Sequence, residues 1–144
     1  MANLPSPAEM AATHTAAFTQ SRPWSEAEFT DLLDSPFTFT VGDARCFALV
    51  RVIVDEAELL TIATHPDHQR QGLARAVMQV WRTVATQRGA ETAFLEVAAD
   101  NAPACELYTS CGFSNCGNRP GYYSRQNGPA VDAILMRQAL PTDK

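Results

Sequence analysis

The sequence has no apolar run approaching the roughly 20 residues that a membrane-spanning helix requires. Its opening segment, MANLPSPAEM, has neither a basic stretch nor a continuous apolar stretch, so we expect no secretory signal and a cytoplasmic location. Basic residues are also scarce, with 11 lysines and arginines against 16 acidic residues and a formal net charge of -5. Because phosphate backbones bind to basic surfaces, we expect neither nucleic acid nor a membrane as a partner.

The spacing of cysteine and histidine gives no sign of a metal site. No C-x-x-C pair is present, and His65 and His68 enclose Pro66 in a lone H-x-x-H. Structural zinc sites normally take their ligands from such closely spaced pairs, so we expect no metal. The third histidine, His14, reads as a surface or locally hydrogen-bonded residue. Since nothing indicates export, we expect free thiols at Cys46, Cys105, Cys111 and Cys116.

Length and composition point to one globular domain over residues 1–144. A hydrophobic fraction of 46% with 19% charged residues is typical of a chain that buries a core. Ser25, followed three residues later by Glu28, has the pattern of a helix capping box. The stretch NRPGYYSRQNGP, residues 118–129, reads as a loop because it contains glycine and proline. Local patterns predict helices over residues 8–18, 25–33, 73–88 and 101–110, and strands over residues 37–41, 45–54, 58–64, 93–98, 113–116 and 130–136.

The third of these helices has the most regular pattern. Its apolar residues recur at three- and four-residue steps, as in an amphipathic helix, and Gly89 provides a C-terminal stop. One strand precedes this helix and another follows it, so we expect a β-α-β unit with parallel strands. Earlier in the chain, the turn GDA indicates an antiparallel hairpin, which makes the class mixed α/β. The apolar helical positions are Leu73, Val77, Val80, Trp81, Val84 and Ala85.

The start of this helix, in HPDHQRQGLARAV, is open and positively charged. The first amides of a helix have no intrahelical partners, and the helix dipole adds partial positive charge, so the position suits a phosphate. The sequence lacks the G-K-[ST] of a P-loop and the glycine spacing of a dinucleotide-binding fold, and a plain basic turn remains the alternative. The expected anion site takes its amides from Gln71, Gly72, Leu73 and Ala74, and its charge from Arg70 and Arg75.

The pattern Gln69-x-x-Gly72-x-Ala74 resembles the acyl-CoA pyrophosphate loop of the GNAT superfamily of N-acetyltransferases. Longer stretches, PWSEAEF, TIATHPDHQRQGLARAVM, FLEVAADNAPACELYTSCGF and YYSRQNGPAVDAILM, resemble the bacterial RimI family of ribosomal-protein-alanine N-acetyltransferases. This resemblance covers residues 24–136. The sequence departs from the family pattern at Ala74, where a glycine is commoner, and at Asp100, where a serine is commoner. The segment before residue 8 is short and contains prolines, so the first strand of the family fold is expected to be missing or frayed.

The resemblance implies a GNAT fold, a mixed central sheet with flanking helices in a single domain. It implies acetyl-CoA as co-substrate, with no metal, and the N-terminal alanine of a small-subunit ribosomal protein as acceptor. By the same resemblance, Glu96 matches the general base and Tyr108 the general acid. The donor-binding residues implied in this way are Ile62, Ala63, Thr64, Gln69, Arg70, Gln71, Gly72, Leu73, Ala74, Arg75 and Asn101.

Each of these assignments has a plainer alternative. Glu96 alternates with Leu95 and Val97 along a strand, so it points either to solvent or into a cleft. Tyr108 would also serve as a packing residue of an amphipathic helix. Tyr122 and Tyr123 either line a substrate groove or cover the edge of the sheet. Two other functions stay open, an acetyltransferase of a small amine and a non-catalytic acyl-CoA-binding module. The oligomeric state is left open, with a monomer as the simplest case.

Overall fold

The computed structural model describes residues 3–18, 22–125 and 128–141. Both of its first two helices begin with a capping box, as predicted for Ser25, whose hydroxyl accepts from the Glu28 amide while the Glu28 carboxylate accepts from the Ser25 amide. The predicted helix starting near residue 101 is confirmed with Asn101 as its cap. The helices are α1 (Pro7–Ala17), α2 (Glu26–Leu33), α3 (Leu73–Gln87) and α4 (Ala102–Ser110), with a short 3-10 turn at Pro66–His68.

Six strands form one mixed sheet in the order β1-β2-β3-β4-β6-β5. The predicted β-α-β unit is confirmed, since β3 and β4 are parallel and α3 connects them, while every other neighbouring pair is antiparallel. The strands are β1 (Thr38–Asp43), β2 (Cys46–Ile53), β3 (Glu56–Thr64), β4 (Thr92–Ala98), β5 (Ser114–Tyr123) and β6 (Val131–Ala139).

The helices cover the two faces of the sheet in pairs. α3 and α4 pack on one face, where Trp81, Leu95 and Tyr108 share the larger hydrophobic core. α1 and α2 pack on the opposite face over a smaller core that contains Phe29 and Phe47. Alternation along β2 supplies both cores, because successive side chains of a strand point to opposite faces. The smaller core covers only part of its face, and the remainder is open.

Three expectations from the sequence are corrected. Residues 118–123 are not loop but the second half of β5, which lies at the sheet edge and pairs with β6 through two register irregularities. Val80 lies on the exposed side of α3, outside the core. His14 is buried rather than on the surface, with only 1% of its area exposed.

Other features of the fold concern the ends of the elements. The described residues ahead of α1, 3–6, contain no strand. The polar stretch TQSR ahead of Pro23 predicts a turn that ends the first helix, and most of this stretch, residues 19–21, lies outside the described residues. Within the described part of the chain, no helix combines the length and the hydropathy needed to cross a bilayer.

Candidate active site

A cleft opens in the middle of the sheet between β3 and β4. The two strands pair over only three positions, the last being Glu58 with Phe94. Beyond this point, β3 continues to Thr64 paired only with β2, and β4 continues to Ala98 paired only with β6. Two unpaired strand edges therefore face each other, and such an edge offers backbone donors and acceptors to an extended ligand.

The side chains at the end of β3 are engaged with the protein itself. Ile62 packs against the larger core, and Ala63 is buried in the smaller one. The hydroxyl of Thr64 donates to the Cys46 sulfur at 3.2 Å. These three predicted donor-binding residues therefore offer a ligand in the cleft their backbone groups rather than polar side chains.

The turn from β3 into α3 presents unpaired backbone amides. Gly72 caps α3 with φ of 76° and no side-chain capping bond, and Arg70 is also left-handed with φ of 63°. The first intrahelical bond runs from the Ala76 amide to the Gly72 carbonyl at 3.1 Å, so the amides just ahead have no acceptor within the helix. Left-handed residues of this kind form concave backbone sites for anions, and the helix dipole adds to the effect. The anion site expected from the sequence stays a prediction, and the turn has the unpaired amides that such a site requires.

Some side chains around this turn are exposed, and others bond to the protein itself. Gln69, Arg70 and Gln71 are exposed. Arg75 is directed to α4, where its guanidinium donates to the Ser110 hydroxyl at 2.9 Å and links the two helices. Asn101 lies exposed at the start of α4, and its side-chain oxygen accepts from the Ala104 amide at 3.2 Å. The amide nitrogen of Asn101 is thus the part of this side chain that capping leaves for a ligand.

Glu96 lies on the open face of the sheet beside the cleft. Its neighbours along β4 point into the core beneath α3 and α4, so the Glu96 carboxylate points to the face that carries α1 and α2. The side chain is 26% exposed, and Oε1 lies 3.3 Å from Nη2 of Arg119. It lines a cavity of about 300 Å³, together with Arg51, Ile53, Glu58, Phe94, Arg119 and Leu135 among others. The structure therefore places Glu96 in a cavity and not on a convex surface.

Tyr108 lies on the other side of the sheet, on α4. Only 6% of its area is exposed, and its ring makes an edge contact with Phe113 at 6.4 Å between centroids. Burial raises the pKa of the Tyr108 phenol, and nearby Cys105 and Tyr123 raise it further. The Tyr108 hydroxyl makes no hydrogen bond within the described residues. It still reaches the surface, because an unpaired side-chain atom that is fully buried occurs among those residues only at the Thr40 hydroxyl. An unpaired phenol that holds its proton can donate it.

Tyr123, at the end of β5, lies within electrostatic reach of both groups. Burial raises the pKa of Tyr123, and the negative charge of Glu96 is the next cause. The same tyrosine contributes to the raised pKa of Tyr108. Tyr123 is therefore coupled electrostatically to both Glu96 and Tyr108, which favours the groove-lining alternative for Tyr123.

Sequence reasoning missed two arginines around this neighbourhood. Arg119 contacts Glu96, and the Arg125 guanidinium donates to both oxygens of Asp100, at 2.8 and 3.0 Å. The second pair ties the segment after β5 to the turn after β4. Both arginines lie in the stretch read as a loop, where no periodic pattern marked them. Among the residues described, no cluster of histidine, cysteine and carboxylate side chains is arranged to hold a metal ion.

Comparisons with known proteins agree with this architecture. The Acetyltransferase (GNAT) family matches residues 9–113. The [ribosomal protein bS18]-alanine N-acetyltransferase of Escherichia coli strain K12 is 40% identical over 136 residues, covering 91% of this chain and 89% of that protein. The crystal structure of the ribosomal-protein-S18-alanine N-acetyltransferase from Escherichia coli superposes with a TM-score of 0.85 at 34% identity, covering 96% of this chain and 90% of that one.

A more distant structure shares the fold alone. NAA60 of Arabidopsis thaliana, in complex with acetyl-CoA, superposes with a TM-score of 0.80 at 16% identity, covering 94% of this chain and 93% of that one. The family match spans more than half of the sequence, and the Escherichia coli relative extends it over nearly the whole chain. The chain therefore belongs to the GNAT family of N-acetyltransferases, for which acetyl-CoA is the acyl donor.

Proposed function

We propose that this enzyme acetylates the N-terminal α-amino group of a protein, with the N-terminal alanine of ribosomal protein bS18 as its acceptor. One observation carries the proposal. The Escherichia coli relative that is 40% identical over 91% of this chain has that activity in its name. The open cavity beside Glu96 supports it, because a polypeptide acceptor needs a site that is accessible from outside.

Backbone groups along the cleft support the proposed binding of acetyl-CoA there. The unpaired amides at the start of α3 would bind the pyrophosphate, with Gly72 allowing close approach and Arg70 adding charge. The free edge of β3 at Ile62, Ala63 and Thr64 would hydrogen-bond the pantetheine amides in the manner of an added strand. The amide nitrogen of Asn101 would donate to the same ligand. Acetyl-CoA bound in this way supplies the reactive thioester.

The chemistry of an N-terminus suits a carboxylate base. A free α-amino group has a pKa of ~7.8, against ~10.4 for lysine. At pH 7, forming the neutral amine therefore costs about 1 kcal/mol for an N-terminus and about 4 to 5 kcal/mol for lysine. A glutamate at the edge of the cavity is adequate for the first task and much less so for the second. This difference favours α-amino acetylation over acetylation of lysine side chains.

Glu96 and Tyr108 take complementary roles in the proposed transfer. Glu96 accepts the proton that the amine loses, directly or through a water molecule, as the nitrogen bonds to the acetyl carbon. The carbon–sulfur bond then breaks, and Tyr108 donates its proton to the departing thiolate. A phenol is protonated at neutral pH, since its ordinary pKa is ~10, and burial of Tyr108 raises that pKa further, so the proton is in place when the thiolate forms. The proton held by Glu96 returns to solvent, and Tyr108 regains one.

The first experiment compares two short peptides as acceptors by mass spectrometry with acetyl-CoA present. One begins with the N-terminal residues of bS18, and the other has the same residues with a blocked N-terminus and one free lysine. Acetylation of the free N-terminus alone is the expected result. If neither peptide reacts while acetyl-CoA binds tightly, the acceptor is a small amine or the protein is a binding module, and the proposal is wrong.

Two substitutions test the proposed roles separately. Glu96→Gln should lower kcat strongly and leave acetyl-CoA affinity within about twofold, because an amide of similar shape cannot accept the proton. Tyr108→Phe should also lower kcat, since phenylalanine packs equally well but has no proton to donate. Unchanged turnover in either variant would remove that residue from the mechanism. Unchanged thermal unfolding of Tyr108→Phe would exclude a loss of fold as the cause of slow turnover.

A further inference from the structure

We propose that Arg119 is a positioning residue for Glu96, holding one carboxylate oxygen so that the other stays directed at the acceptor. The inference rests on the proposed role of Glu96 as base. Nη2 of Arg119 lies 3.3 Å from Oε1 of Glu96, and both side chains line the same cavity. Among the described residues, neither oxygen of Glu96 accepts a side-chain hydrogen bond, so the ion pair at Oε1 is the contact that orients the carboxylate, and Oε2 stays available for the amine or a bridging water.

The sheet register brings Arg119 to the base from two strands away. Glu96 of β4 pairs with Leu135 of β6, and Leu135 pairs in turn with Gly117 of β5. Arg119 is two residues beyond Gly117 and therefore has its side chain on the same face as Glu96. Only a long side chain spans the intervening strand. Lysine would also reach across it, but without the planar fork of arginine.

Residues on both sides of Arg119 are bonded to one carboxylate. Asp132 of β6 accepts from the Asn118 side chain at 3.0 Å and from the Gly121 amide at 2.9 Å. Arg119 itself pairs with Ala133, and the regular pairing with β6 is interrupted only beyond it, up to Tyr123. The Gly121 bond lies within this irregular part of β5 and ties it to β6.

The guanidinium is also held by an aromatic ring. Its central carbon lies 5.4 Å from the centroid of the Tyr122 ring, within the range of a cation–π contact. With 52% of its side chain exposed, an arginine on a surface strand would otherwise sample many rotamers. The ring on one side and the carboxylate on the other restrict it to an orientation that fixes Glu96.

This restriction matters because Glu96 is only partly enclosed. A carboxylate that is 26% exposed populates unproductive rotamers unless a neighbouring group restricts it. Displacement of a catalytic group by about 1 Å can lower a rate by about a hundredfold. We therefore expect loss of the Arg119 guanidinium to reduce turnover, while the proposed donor-binding groups at the start of α3 and on the free edge of β3 stay unchanged.

The test is a double-mutant cycle on kcat with the bS18 N-terminal peptide. Arg119→Gln should lower kcat about tenfold to a hundredfold, with acetyl-CoA affinity within twofold of the wild type. In the Glu96→Gln background, the same substitution should cause no further loss, because there is no base left to position. Arg119→Lys should recover part of the activity.

Arg88→Gln provides the matched control. Arg88 is exposed, its guanidinium lies over the Phe39 ring at 4.6 Å as that of Arg119 lies over Tyr122, and it lies at the C-terminal end of α3, the end opposite the proposed donor turn, so the kcat of the variant should equal that of the wild type. Multiplicative losses in the cycle, or an effect of Arg119→Gln on the peptide KM alone, would overturn the positioning role. If Glu96→Gln itself turns over normally, the proposed base fails, and the positioning role fails with it for that separate reason.

Discussion

Lowering the pH from 7.5 to 5 should destabilise the fold by about 2 kcal/mol through His14 alone. This histidine on α1 is buried, and its Nδ1 accepts from the Trp24 amide at 3.0 Å. The proton of the neutral ring is therefore on Nε2, which donates to the Thr61 hydroxyl at 3.1 Å. Protonation would add a hydrogen at Nδ1, the second N–H of the ring, and so break the hydrogen bond from the Trp24 amide.

The sign and size follow from the pKa of His14 in the two states. Burial lowers it from 6.5 to about 4, and the neighbouring charges, Glu28 raising it and Arg22 lowering it, are smaller causes. The unfolded chain takes up a proton as the pH falls below 6.5, whereas the folded chain does so only near 4. The contribution of His14 to the free energy of unfolding is therefore fully present above pH 6.5. It is lost as the pH falls from 6.5 to 4, and the total loss approaches about 3 kcal/mol.

The assay is urea unfolding of the wild type and His14→Gln at both pH values. The wild type should lose about 2 kcal/mol more than the variant between pH 7.5 and 5, because glutamine does not titrate and the other groups are common to both. An NMR titration of the ring supplies an independent readout, with the neutral form persisting to about pH 4. Equal losses in the two proteins, or a ring that titrates near 6.5, would refute the reasoning.

Three further predictions concern the helices and the turn after β4. Gly72→Ala should lower the free energy of unfolding by about 1 kcal/mol, because alanine is strained in the left-handed backbone of this position. It should also weaken acetyl-CoA binding in calorimetry: no protein atom lies within 4 Å of the added methyl, so the methyl would occupy the space proposed for the pyrophosphate. Trp81→Ala should lower the free energy of unfolding by about 3 to 5 kcal/mol in urea, because Trp81 is completely buried. Asp100→Asn should leave the urea midpoint of unfolding nearly unchanged but raise the peptide KM, because it weakens the ion pair with Arg125.

Elements with a strong local signal could be predicted from the sequence. The capping box at Ser25 and the apolar periodicity of α3 depend on residues three or four apart, and both are confirmed. The open amides before Leu73 follow from the same local logic, because a helix start without a side-chain cap leaves them unpaired. Val80 was the exception, since a valine at a helical step carries no information about which neighbour will cover it.

The second half of β5 could not be predicted in this way. Its residues, including Pro120 and Gly121, disfavour strands, and its position depends on pairing with β6 and on Asp132. The contact between Arg119 and Glu96 depends on the same pairing, between residues far apart in sequence. His14 likewise had no local signal, since its ring is enclosed by Trp24 and Phe29 and bonds to Thr61 on a distant strand. The roles of Glu96 and Tyr108 came from family resemblance and remain proposals.

The short pairing of β3 with β4 offers a way for the proposed base and the proposed acid, on opposite faces of the sheet, to act on one reaction. Glu96 points to the face of α1 and α2, and Tyr108 belongs to the core beneath α3 and α4. In a fully paired sheet, the backbone would separate them. Because the strands pair at only three positions, the cleft connects the two faces. In the proposed mechanism, the amine then enters on the Glu96 side, and the thiolate departs on the Tyr108 side. A substitution that closed the cleft would therefore abolish transfer while leaving both side chains in place.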